Sequence, residues 1–215
     1  FPNAVVPHIW FHQDNSEEIL LGHLKFPLVR GIRSKPVTAP SPDQVSRVQG
    51  VSGSMQDDKW LSGFSLLEKY HLSWDLRVPF WHLEEAAEVA KAFPDTRIVL
   101  NHMGFPWDRS ENGLAIWRKG MQALADCPNV LVKVSELGLK DRPWTVECNR
   151  SVVLETTELF GMDRCMFASN FPVAGLKISY DQLVNSLAEI LDGYSSSQRE
   201  AFFWRNAKAF YRIEL

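Results

Sequence analysis

Short apolar runs rich in Val, Ile, Leu and aromatic residues alternate along this chain with stretches whose apolar positions recur at helical spacing. The runs at 4–11 (AVVPHIWF), 26–33 (FPLVRGIR), 72–78 (LSWDLRV), 97–102 (RIVLNH), 130–135 (VLVKVS) and 165–170 (CMFASN) predict six strands. Between them, 17–24, 57–70, 83–93, 114–124 and 152–160 predict helices, and two more close the chain. Trp60, Phe64 and Leu67 stand at i, i+4 and i+7, the spacing of one helical face. Ser41-Pro42-Asp43-Gln44, Ser179 with Gln182 and Ser197 with Glu200 read as capping boxes, and Gly161 and Gly193 as helix stops. Residues 34–53 form a long loop rich in Pro, Ser and Gly, and loops of that length in compact domains are usually functional.

Nearly continuous apolar strands are buried on both faces, which is the mark of a parallel sheet covered by helices. Alternating strands and helices leave a (β/α)8 TIM-type barrel or a doubly wound sheet. No Gly-rich phosphate turn follows a strand, which weakens the second. Polar residues instead gather where strands end: Arg33, Asp75 and Arg77, Asn101 and His102, Ser135 and Glu136, Ser169 and Asn170. Barrel enzymes keep their chemistry there. Six units cannot close a barrel of eight, so about two units, roughly 60 residues, are expected before Phe1. One domain covering 1–215 is the expected organisation.

Composition narrows the classes. A net charge of -3 offers no electrostatic footprint for nucleic acid or anionic membrane. No apolar run approaches the ~18 residues a membrane span needs. Three scattered cysteines build neither a disulfide framework nor a zinc ribbon, and they fit a reducing compartment, the cytoplasm. The expected partner is a small-molecule substrate. Bare sheet edges would favour a homo-oligomer.

His102 is the sharpest candidate. It ends an apolar strand, and a neutral imidazole there can ligate a metal, polarise a carbonyl or move a proton. The plainer alternative is a strand cap. Arg33 at a barrel mouth suits bidentate binding of a carboxylate, unless it pairs with Asp75. Asp75 and Arg77 share one side of their strand and read as structural partners. His82 opens the helix after Phe80-Trp81 and, with Trp74, is a candidate for the substrate-binding wall. Asn170 can hydrogen-bond substrate or water but cannot take a proton as a carboxylate does. Cys165 reads as a small buried apolar residue.

Five ordered motifs carry a family resemblance: VRGIR (29–33), WDL (74–76), VLNHMGFP (99–106), VKVS (132–135) and RCMFASNFP (164–172). From Ala4 to its end the chain resembles amidohydrolase-related proteins, the branch of the amidohydrolase superfamily with 2-pyrone-4,6-dicarboxylate hydrolase and sugar-acid lactonases. The resemblance implies a (β/α)8 barrel whose third to eighth strands are those present. It matches His102 to the sixth-strand His and Arg33 to a fourth-strand Arg that can hold a substrate carboxylate. Asn170 falls where many members carry an Asp that binds metal and activates water, and the first-strand His-x-His pair has no counterpart among His8, His12, His23, His71, His82 and His102. A divalent metal such as zinc, if held in a full-length protein, would use His102; with one good ligand, none is expected bound to this chain. The leading expectation is a hydrolase of a carboxylate- or hydroxyl-bearing lactone or cyclic ester. His102 would polarise the carbonyl, Arg33 would hold the anion and Asn170 would orient water. A decarboxylase of the same superfamily and a non-catalytic small-molecule-binding barrel are the alternatives.

Overall fold

Side chains along a strand point alternately to opposite faces, and here the two faces do different jobs. The structure, a computed structural model, describes residues 2–214. Its sheet has five parallel strands side by side in sequence order: β1 (Gly31–Ile32), β2 (Ser73–Leu76), β3 (Ile98–Leu100), β4 (Val130–Val134) and β5 (Cys165–Phe167). Gly31 pairs with Ser73, Trp74 with Ile98, Val99 with Leu131, and Val132 with Cys165. The helices are α1 (Ser16–Leu24), α2 (Asp58–Phe64), α3 (Leu66–Lys69), α4 (Leu83–Ala92), α5 (Glu111–Ala125), α6 (Val146–Phe160), α7 (Tyr180–Ile190), α8 (Ser196–Glu200) and α9 (Asn206–Phe210). Parallel strands in chain order, each crossover carrying helix, is the α/β arrangement of a TIM-type barrel. No described helix is long and apolar enough to cross a membrane.

One face holds the main core. Ile32, Trp74, Leu76, Ile98, Leu100, Val130, Val132 and Val134 pack there against Trp60 and Phe64 of α2, Leu83 and Ala87 of α4, Trp117 and Met121 of α5, and Val152 and Val153 of α6. The other face is smaller and closed from the chain ends. Val99 and Met166 pack with Phe210 and Tyr211, flanked by Ala4, Val6, Leu131, Ala207 and Ile213. Asn206 fastens this segment by donating to the carbonyls of Met162 (2.8 Å) and Cys165 (2.7 Å).

The sheet has five strands, not six. The predicted strand at 4–11 is reduced to one parallel bridge, Val5 to Val29, and a bond from Arg33 N–H to Pro7 O (2.9 Å). Pro7 has no N–H to continue the ladder, and Pro27 shortens the neighbouring run in the same way. The run at 97–102 stops at Leu100 because His102, Met103, Gly104 and Phe105 all take left-handed backbone angles. The helix expected at 57–70 is two, with a break at Ser65. The last capping box is Ser195 with Gln198 rather than Ser197 with Glu200, and Ser41 caps nothing with its side chain. The box of Ser179 with Gln182 and the stop at Gly161 stand as expected.

Gly63 lets α2 lie against the Phe11 backbone, where Phe11 meets Trp60 and Phe64 edge to face. A methyl group there would drive into the Phe11 carbonyl. Gly63→Ala should therefore destabilise the fold by about 1–3 kcal/mol, the usual penalty of overpacking. A thermal melt should record a loss of roughly 2–4 °C per kcal/mol.

Candidate active site at the strand C-terminal ends

Because all five strands run the same way, every residue just past a strand's C-terminal end reaches one edge of the sheet. Arg33 follows β1, Arg77 follows β2, Asn101 and His102 follow β3, Ser135 and Glu136 follow β4, and Ser169 and Asn170 lie past β5. Three of these ends carry non-glycine residues with positive φ: His102 (61°), Glu136 (52°) and Asn170 (53°). Such conformations are unfavourable for L-residues and collect at functional sites.

Beneath that edge lies a buried polar cluster. Asp75, 1% exposed, is met by Lys133 Nζ at 2.5 Å and by Arg33 Nη2 at 3.6 Å. Tyr211 Oη donates to its other oxygen at 2.8 Å. Asn101 Oδ1 accepts from both Arg33 and Lys133 at 3.1 Å, and Asn101 Nδ2 donates to Leu76 O. Burial holds the Lys133 ammonium below its ordinary pKa against the pull of Asp75, and pushes the Tyr211 phenol well up, with Asp75 adding to it. Arg33 thus pairs with Asp75, as the structural alternative had it, yet 38% of its side chain stays exposed.

His102 is buried, with Nδ1 2.7 Å from Ser135 Oγ. Its pKa falls to about 3, first through burial and then through the positive Arg33, Arg77 and Lys133. The ring is neutral at every physiological pH. An unfolded histidine titrates near 6.5, so below that pH the unfolded chain binds a proton that folded His102 refuses. Stability should therefore fall as pH drops from 6.5 towards 3, by up to about 1.4 kcal/mol per pH unit from this group. Urea melts of wild type and His102→Gln across that window isolate the slope, which the variant should lack.

Glu136 and Asn170 form the other half. Asn170 Nδ2 donates to Glu136 Oε2, and burial raises the Glu136 pKa against a smaller lowering by Arg77. The Arg77 guanidinium itself lies 4.8 Å over the Phe105 ring. Ser135, Glu136 and Ser169 then line a cleft of about 880 Å³ whose walls include Trp107, Arg109 and Trp144. Val173 and Leu176 give it an exposed apolar rim.

Arg33, His102 and Asn170 each lie past a strand's C-terminal end on one edge of the sheet, where Arg33 bonds Asn101, His102 bonds Ser135 and Asn170 bonds Glu136. Trp74 and His82 are corrections to the expected substrate wall. Trp74 neighbours the inward Asp75, so alternation sends it to the helix side, where it lies 4.9 Å from the Phe64 ring and donates to Ser34 O. His82 is fully buried; its Nε2 accepts from Ala39 N–H (2.8 Å) and its Nδ1 pairs with Glu85, so it ties the 34–53 loop to α4. Lys133, Tyr211 and Arg109 were not legible as site residues, and Glu136 only as a polar strand end. A single Lys inside the apolar run VLVKV was the available signal, since buried lysines need partners.

The side chains do not suit a divalent cation. Among the described residues no three of His, Cys, Asp and Glu converge on one point, and the imidazole that could begin such a set stands among three cations.

A family model described as amidohydrolase matches residues 6–213. An uncharacterized protein, y4mH, of Sinorhizobium fredii is 38% identical over 99% of this chain and 71% of its own length. An L-fucono-1,5-lactonase of Burkholderia multivorans is 28% identical over 52% of this chain, which spans 41% of that enzyme. Among solved structures, an amidohydrolase from Burkholderia multivorans with bound HEPES superposes with a TM-score of 0.82 at 23% identity, over 98% of this chain and 74% of its own.

Proposed function

The chain belongs to the amidohydrolase family, and from that premise we propose that it serves the hydrolysis of a lactone or cyclic ester bearing a carboxylate or several hydroxyls. Members of this family are generally hydrolytic enzymes. The observation that carries the reading is a neutral His102, held by Ser135 and ringed by Arg33, Arg77 and Lys133. In the tautomer protonated on Nε2, the Ser135 hydroxyl donates to Nδ1 and the Nε2–H is free to donate to a substrate carbonyl. As water attacks, the carbonyl oxygen gains negative charge, and a fixed donor backed by three cations stabilises that charge without reorganising. The exposed part of Arg33 holds the substrate's anionic group, and Asn170 orients the water. The cleft beside Ser135 and Glu136 accommodates the remainder, with Trp107 and Trp144 as apolar platforms. The lactonase name of one relative supports the same class.

The test is a panel of aldonolactones and carboxylated cyclic esters with the full-length protein, followed by acid release in weakly buffered indicator. Saturable ring opening without carbon dioxide is expected. Carbon dioxide release would replace this reading with decarboxylation, and ligand binding without turnover would replace it with a binding barrel.

A further inference from the structure

We propose that Glu136 is the general base that activates water in this site, an inference that rests on the hydrolase reading above. The reaction needs a group that accepts a proton at neutral pH, and His102 is not that group: three cations and burial keep its ring from holding a second proton. Asp75 is occupied by Lys133, Arg33 and Tyr211 and is closed to solvent. Asp108 is engaged at the start of α5, where its Oδ1 accepts from Ser110 N–H at 2.9 Å.

Glu136 differs in placement. It follows Ser135, the residue that holds His102, so the residue that fixes the polarising ring and the base sit on adjacent positions past β4. Its carboxyl opens on the cleft and has one oxygen fixed by Asn170, which leaves the other to face a water. Its left-handed backbone turns it off the line of β4, and Asn170 opposite has the same conformation. Burial lifts its proton affinity towards the working range of a base. The charged group facing it is Arg77, while Ser135 and Asn170 are neutral; the cleft walls add Arg109, Lys140, Arg142, Lys177, Asp108 and Asp141.

In the step, a water oxygen bonds to the lactone carbonyl carbon while one water proton moves to Glu136. The carbonyl π pair becomes the oxyanion. On collapse the ring carbon–oxygen bond breaks, and the leaving oxygen takes the proton back from Glu136. Lactone and water become hydroxy acid, with no other reactant.

The experiment compares the full-length protein with Glu136→Gln and Glu136→Asp on the best lactone of the panel. Glutamine keeps the shape and the acceptor for Asn170 but cannot take a proton. Its kcat should fall by about 10²-fold or more, with KM changed by less than about threefold. The acidic limb of the wild-type kcat profile should vanish in Glu136→Gln and persist, at reduced height, in Glu136→Asp. If Glu136→Gln does not fold, the limb in Glu136→Asp decides; its absence there overturns the proposal. A wild-type enzyme that turns over while Glu136→Gln keeps kcat within about threefold overturns this proposal alone. A wild-type protein that opens no lactone overturns both readings.

Discussion

Replacing His102 with alanine should lower kcat/KM for ring opening by about 10²–10³-fold, the loss typical of removing one donor to a developing oxyanion. The reasoning runs through protonation. A neutral ring with Nδ1 fixed by Ser135 has one N–H to offer, and nothing else at the end of β3 replaces it. Alanine also sits poorly at φ 61°, a strain of roughly 1–2 kcal/mol. The informative companion is His102→Asn, because Asn tolerates this conformation and keeps an N–H donor. It should fold at wild-type temperature and regain part of the lost rate. Parallel melts and steady-state kinetics separate the two effects. If alanine retains the rate to within about threefold, His102 does not polarise the substrate.

Asp75→Ala should cost about 3–5 kcal/mol of stability, because it leaves the buried Lys133 ammonium beside Arg33 with no opposite charge. Lys133 is 12% exposed, and without Asp75 its nearest remaining partner is the neutral Asn101 amide oxygen. Burial already lowers the Lys133 pKa in the native protein. Loss of the carboxylate would lower it further, so the variant should regain stability as pH rises towards the unfolded lysine value of about 10.4. Asp75→Leu with Lys133→Met, which removes both charges, should recover most of the loss. Urea unfolding of the two singles and the double measures this. A loss below about 1 kcal/mol in Asp75→Ala would mean that the cluster is hydrated, not sealed.

What the sequence made legible was what local pattern controls. Periodicity located the β2 to β5 strands and their helices, and the apolar run ending in Asn101-His102 singled out His102 as a candidate, since a His in that place has few structural reasons to be there. Pro7 stands inside an apolar run that reads as a strand, and its one missing donor is enough to end the ladder. Trp74 could have been assigned correctly: once Asp75 points inward, its neighbour must point out. His82 could not, because its partner Ala39 lies 43 residues away in an irregular loop. Glu136 gained its role from a left-handed turn and from Asn170, neither of which leaves a periodic trace.

The bond from Tyr211 to Asp75 spans 136 positions of the chain. During synthesis β2, β3 and β4 emerge long before it, so Asp75 and Lys133 must wait on a sheet whose second face is still bare. Contacts of such separation are slow to form, and a sheet awaiting them exposes apolar surface. The last turn of α9 and Tyr211 therefore act as the keystone of assembly. A ribosome stalled before residue 211 would therefore hold a nascent chain whose second sheet face is uncovered and open to proteases and chaperones.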